Sequence, residues 1–223
     1  MLGPDQIRAN LIAVERRIVA ACDRSGRRRE GVTLVAVAKT FPAAAVEAAI
    51  AAGATDIGEN RVQEARDKKP AVSGLAHWHL IGHLQSNKAK DAVRLFDVIH
   101  SIDSPSLAGK TGRAAAAAGK RQDVLIEVNI AGEPQKAGAL PADVPALTAA
   151  IRAIDSLSLL GLMAIPPLGD PEATRPHFRS LRNLKEDLGL HQLSMGMTDD
   201  FEVAIEEGAT ILRVGRAIFG SRG

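Results

Sequence analysis

The sequence predicts a closed (β/α)8 barrel with one extra helix before the first strand. Three observations predict it. Short apolar runs alternate with helix-like stretches along the chain, and strands that alternate with helices pair in parallel. The 223 residues are 46% apolar, enough for the core of one large α/β domain. No linker, repeat array or low-complexity tract divides the chain, so residues 1–223 read as a single domain.

Each element has its own signal. Ile7, Leu11, Val14, Ile18 and Ala21 recur at steps of four and three, the spacing of one apolar helix face, with Asp5 as its cap and Gly26 as its stop. The first strand covers residues 32–38 and runs into Lys39. Pro42 suits the start of the next helix and Gly53 its end. TDIG is the second strand and leads into Glu59 and Asn60; the helix over residues 61–69 stops at Pro70. HWHLIG is the third strand, followed by a helix over 85–93, and DVIHSI is the fourth. Ser104 and Pro105 open an alanine-rich helix that ends at Gly119. DVLIEVNI is the fifth strand, AGEPQKAGALP the longest polar insert, and residues 143–154 the helix after it. LSLLGLMAI is the sixth strand, stopped by Pro166 and Pro167. Phe178, Leu181, Leu184 and Leu188 mark a helix, LSMGM the seventh strand, and Asp199 with Glu202 a capping pair for the helix that follows. TILRVG is the eighth strand.

Charge and cysteine content narrow the function classes. Basic and acidic residues number 28 and 26, a net charge of +2, which gives no reason to expect nucleic acid or an acidic membrane as partner. Cys22 is the one cysteine, so no internal disulfide can form and a reducing cytoplasm is the expected location. No run has the length of a membrane span, and MLGPDQIRAN lacks the apolar core of a signal segment. With no coiled-coil or swapped segment visible, a monomer is expected.

In a parallel barrel the carboxyl ends of the strands converge on one mouth, where sites are built. Here they carry Lys39, Asn60, His79, Asn129, Met163, Ser194 and Arg213. Lys39 directly continues the apolar run VTLVAVA, so its amine is delivered to that mouth; the plain alternative is a solvated lysine at a strand exit. Gly215 follows the last strand and opens the short RAIFG segment, whose free backbone N–H groups suit a phosphate; the plain alternative is a tight exit turn. Ser194, one strand earlier, stands beside the same pocket or is an ordinary strand-end hydroxyl. Amine plus phosphate cradle points to a phosphorylated aldehyde held as a Schiff base, for which pyridoxal 5'-phosphate is the usual candidate.

Arg213 is expected to point into the barrel, where it needs an acceptor. One option is an ion pair with Glu127 or Glu59. The other is a hydrogen bond to a pyridine nitrogen, which would leave that nitrogen neutral and the ring a weak electron sink. His77 and His79 share a strand face, with Trp78 between them and His83 beyond. No carboxylate or histidine stands at a matching late strand end, so they read as core or mouth histidines and no metal is expected. Lys136 reads as solvated, or as a second amine near the mouth.

AVAKT, IGENRVQEA, WHLIGHLQSNK, HSID, GLMAIP, LSMGMTDDFEVAIEEGAT and RVGRAIFG, in this order from Gly31 to Gly220, resemble the pyridoxal phosphate homeostasis proteins. The resemblance implies a barrel like the N-terminal domain of alanine racemase that binds pyridoxal phosphate without turnover. It implies Lys39 as the Schiff-base lysine, Asn60 near the cofactor ring, Ser194 with the Gly215 and Arg216 backbone on the phosphate, and Arg213 facing the pyridine nitrogen. The chain departs from the pattern at His83, where proline is usual, at Thr198, where serine is common, and at Arg216, where a small hydroxyl residue is frequent.

Two function classes follow. The first is a carrier that holds the cofactor and exchanges it with pyridoxal phosphate-dependent enzymes as transient recipients. The second is a racemase or lyase acting on amino acids. Two-base racemases that this barrel resembles use a tyrosine opposite the lysine and a second domain; the sequence has no tyrosine and ends three residues after Gly220, so the carrier is expected. A Schiff-base aldolase without cofactor would need an acid–base partner beside Lys39, with Glu59 or Glu127 the ones evident.

Overall fold

The computed structural model describes residues 2–167 and 169–221. Helix α1 (Pro4–Arg24) precedes strand β1 (Thr33–Val37), and strands and helices then alternate: α2 (Ala43–Ala51), β2 (Asp56–Glu59), α3 (Val62–Lys68), β3 (His77–Leu80), α4 (Ala89–Leu95), β4 (Val98–Ile102), α5 (Pro105–Ala117), β5 (Gln122–Glu127), α6 (Val144–Arg152), β6 (Leu157–Met163), α7 (Pro171–Asp187), β7 (Gln192–Ser194), α8 (Phe201–Glu206), β8 (Ile211–Val214) and α9 (Arg216–Phe219). The strands close into a barrel in chain order, with β8 pairing in parallel with β1. The expected (β/α)8 architecture is present.

The extra helix has a structural task. In a regular barrel the helix after β8 covers the seam between β8 and β1. Here α9 has only four residues and is too short for it. α1 takes the place, packing on α8, α9 and α2 through Ile7, Leu11, Val14 and Ile18. Salt links from its solvent side reach the same neighbours, Arg17 to Glu202 and Arg24 to Glu206.

Strand alternation sorts residues between two apolar layers. Outward residues such as Ala36, Ile57, Trp78, Leu80, Leu193 and Leu212 join the large cluster beneath the helices. Inward residues Val35, Val37, Ile81, Leu125, Met163 and Ile211 form a small cluster within the barrel. The same inward faces carry polar groups, because Arg213 lies opposite Val35 in register. The barrel lumen is thus part hydrocarbon, part hydrogen-bonded polar chain.

Several local expectations hold. The Ser104 side chain caps α5 by accepting from Leu107 N–H, and Pro42 stands at the N-cap of α2. Two capping assignments are corrected. α1 starts at Gly3 and Pro4, so Asp5 lies inside the first turn and makes no cap bond. α8 is preceded by Asp200, whose carboxylate accepts from Met197 N–H at 2.6 Å; Asp199 pairs with Arg216 and Glu202 with Arg17 instead. Both expected residues have better partners across space than along the helix.

Candidate functional site at the barrel mouth

A cleft of about 730 Å³ opens at the carboxyl ends of the strands. Its lining includes Lys39, Asn60, Arg213, Gly215 and Arg216, five of the six site residues expected from the sequence. A smaller cavity of about 430 Å³ lies at the opposite end of the barrel, between α1 and the starts of β1 and β2, and holds none of them.

Lys39 leaves β1 as expected and is half-buried at the cleft. The residue after it, Thr40, has φ 70°, a left-handed conformation that costs a β-branched residue roughly 1–3 kcal/mol. Neighbouring contacts hold that turn. Thr40 N–H donates to Glu64 at 2.9 Å, and the Lys68 ammonium donates to the Ala38 carbonyl at 2.9 Å and to Glu59. Phe41 stacks on Phe219 with centroids 5.3 Å apart, tying the Lys39 loop to α9.

The far wall of the cleft is the β8–α9 turn. A Cβ on Gly215 would lie 3.2 Å from the Val37 carbonyl oxygen, so glycine lets the turn seat against β1. The first N–H groups of a helix have no carbonyl partner within it, so those opening α9 are donors to whatever faces them. Ala217 N–H points at the Thr198 hydroxyl, 3.4 Å away. The Arg216 side chain pairs with Asp199, and both residues line the cleft. On the β2 side, a Cβ on Gly82 would stand 2.3 Å from the Asn60 carbonyl oxygen, so only glycine allows Asn60 its position.

Ser194 departs from expectation. It is fully buried and does not line the cleft. Its oxygen lies 2.6 Å from Arg213 Nη1 and 2.9 Å from His100 Nδ1, so the hydroxyl is spent inside the barrel. The hydroxyl residues that do line the cleft are Thr198, on the loop after β7, and Ser221. The sequence signal for Thr198 was its place at a usual serine of the resembling pattern.

Arg213 meets neither expected carboxylate. Glu59 faces outward to Lys68, and the Arg213 guanidinium donates to Ser194 and, at 3.0 Å, to the Ala164 carbonyl. Burial brings its pKa down to about 10, against the pull of Asp200 and Glu127. Glu127 lines the cleft with a buried Oε2 that has no hydrogen-bond partner among the described residues. Burial, with Asp103 adding to it, pushes Glu127 up to about 7 although Arg213 pulls the other way.

The histidines separate. His77 is exposed, and His83 stands on the cleft rim 3.8 Å from Asp103. His79 is buried with one ring nitrogen on His100 and the other on Asp56, each at 2.9 Å. Lys136 pairs with Glu133 and reaches the carbonyl of Ile165, a cleft residue, so it does stand near the mouth.

The family described as alanine racemase, N-terminal domain, matches residues 9–223. The pyridoxal phosphate homeostasis protein of Pseudomonas aeruginosa is 44% identical over 220 residues, covering 97% of this chain and 96% of its own. The solved structure of PipY from Synechococcus elongatus with PLP bound is similar with a TM-score of 0.84 and 37% identity, covering 96% of this chain and all of that one. Alanine racemase of Clostridium difficile shares the fold with a TM-score of 0.76 at 12% identity, over 98% of this chain and 57% of that one. On these grounds the chain belongs to the pyridoxal phosphate homeostasis proteins, a family built on the alanine racemase N-terminal barrel.

Proposed function

We propose that the mouth cleft binds pyridoxal 5'-phosphate as a Schiff base on Lys39, and that the protein serves intracellular homeostasis of this cofactor, without catalytic turnover. One observation carries the reading. Lys39, Arg213 and the β8–α9 turn residues Gly215 and Arg216 line a single cleft, residue types that suit an aldehyde, a pyridine nitrogen and a phosphate. The relative PipY, described with PLP bound, supports it.

Each residue has a task in this reading. Lys39 supplies the amine, on a backbone held by the Thr40 turn. Asn60 stands beside the ring. Thr198 and the Gly215 and Arg216 backbone take the phosphate, while Ser194 acts from below by holding Arg213. Arg213 donates to the ring nitrogen and cannot readily give up a proton, which keeps that nitrogen neutral. The bound cofactor supplies a reversible carbonyl; with a neutral ring it is a poor sink for a carbanion. No tyrosine exists in the sequence to act as a second acid–base group. This suits a site that holds and releases, as a cytoplasmic monomer, with pyridoxal phosphate-dependent enzymes as transient recipients. Among the described residues no helix is long and apolar enough to cross a membrane.

The test is an absorbance spectrum of the protein mixed with pyridoxal phosphate, before and after borohydride. The expected result is a Schiff-base band that borohydride removes, with a matching covalent mass increase. Absence of both at excess pyridoxal phosphate overturns the reading.

A further inference from the structure

An unbroken hydrogen-bonded chain crosses the barrel lumen. It joins Arg213 at the mouth to Asp56 at the opposite end through Ser194, His100 and His79, on five different strands. The steps are 2.6 Å from Arg213 to Ser194, 2.9 Å from Ser194 to His100 Nδ1, 2.9 Å from His100 Nε2 to His79 Nδ1, and 2.9 Å from His79 Nε2 to Asp56. Asp56 is the most exposed member, at the edge of the smaller cavity; Arg213 lines the mouth cleft at the other end, and His100 and Ser194 are fully buried.

With both histidines neutral, the two ends fix every proton between them. A guanidinium only donates, so Ser194 oxygen accepts from Arg213. A carboxylate only accepts. Burial raises the Asp56 carboxyl, but hydrogen bonds from His79 and Thr55 outweigh it and leave it below its ordinary value, ionised. His79 Nε2 therefore donates to Asp56, and its Nδ1 accepts from His100 Nε2–H. His100 Nδ1 then accepts the Ser194 hydroxyl proton. Burial, together with the nearness of His79 and Arg213, holds His100 neutral. A doubly protonated His79 would reverse the middle of the chain, giving Ser194 two donors and its own hydroxyl no acceptor in the chain.

We propose that Asp56, His79 and His100 are positioning residues for Arg213, aiming its unused N–H groups at the ring nitrogen of the cofactor. This rests on the reading that the cleft takes pyridoxal phosphate. The device also has an electrostatic point. Arg213 donates to a neutral hydroxyl rather than to a carboxylate, so no direct ion pair takes up its positive charge, and Asp200 and Glu127 act on it only through space. The chain is anchored in register because no link can turn without breaking two hydrogen bonds in a buried setting.

The experiment has two arms. In the first, histidine nitrogen NMR on the protein without cofactor reads the tautomers. His79 and His100 are both expected as Nε2–H, and Nδ1–H on His100 overturns the proposal. In the second, binding of pyridoxal phosphate is compared with its carbocyclic analogue in which C–H replaces the ring nitrogen. His100→Leu is expected to weaken pyridoxal phosphate about tenfold and to change the analogue by less than about twofold, because only the former uses the Arg213 bond. His100→Asn, whose side-chain oxygen stands in for Nδ1 as an acceptor from Ser194, is expected to recover most of the loss. Equal weakening of both compounds means a merely structural histidine and overturns the proposal. If His100→Leu does not fold, Ser194→Ala answers the same question by the same ratio. Failure of the wild-type protein to form the borohydride-fixed adduct sinks the cofactor reading instead, and the tautomer arm still decides the hydrogen-bonded chain.

Discussion

Arg213 Nη1 donates to Ser194 Oγ at 2.6 Å, inside the barrel and below the cleft. One contact reassigns two residues. It gives the buried guanidinium an uncharged acceptor, and it seats Ser194 below the residues that line the cleft. Thr198, on the loop after β7, lines the cleft where Ser194 does not.

Lys39→Ala is expected to abolish both the Schiff-base band and the borohydride-fixed mass increase. Mass mapping of the reduced wild-type adduct should place the label on Lys39. Full retention of both signals in the variant would move the site to another amine, with Lys136 first because it stands beside the cleft residue Ile165.

Thr198→Val keeps the shape of the side chain and removes the hydroxyl. Charge-assisted hydrogen bonds to an anion are worth roughly 1.5–3 kcal/mol, so pyridoxal phosphate should bind about tenfold or more weakly. Pyridoxal, lacking the phosphate, should bind far worse than the phosphorylated form and be indifferent to this substitution. Equal losses for the two compounds would remove Thr198 from the phosphate cradle.

Glu127 makes stability depend on pH. Unfolded, its carboxyl ionises near the ordinary 4.5; folded, burial keeps the proton on until about 7. Between those values the folded state binds the extra proton, so stability falls as pH rises through that window and levels off above it. Glu59 adds to the slope, being raised by burial to about 7 as well. Glu127→Gln removes its own share, and urea unfolding should show the variant gaining up to about 3 kcal/mol on the wild type between pH 4.5 and about pH 8. Parallel curves would mean that Glu127 is ionised in the fold.

Incubated with L- and D-amino acids in deuterated water, the cofactor-loaded protein should catalyse no α-proton exchange at turnover rates. A neutral ring and the absence of tyrosine underlie this expectation. Exchange that is lost in Lys39→Ala would restore a racemase or lyase. Its loss in Glu127→Gln as well would name the acid–base group, since Glu127 is a cleft carboxyl able to hold or release a proton near neutral pH.

The alternation of strands and helices was legible in the chain because side-chain period and helix stops are local properties. Hence all eight strands, the delivery of Lys39 by β1, the Gly215 turn and the Ser104 cap follow from neighbouring residues alone. The sequence reading also placed Arg213 inward, although Glu59, offered as its partner, faces outward to Lys68. It did not tell how deep along the barrel axis each inward residue sits, because depth depends on the stagger between strands. Ser194 and Thr198 are four residues apart, yet one is sealed in the lumen and the other lines the cleft. The same limit hid the chain from Asp56 to Arg213, whose members span 157 positions and meet only when β2, β3, β4, β7 and β8 close around one axis. The place of α1 over the β8–β1 seam was decided likewise, by the shortness of a helix at the other end of the chain. Local chemistry determined what each residue is able to do, and closure of the barrel decided which partner it does it with.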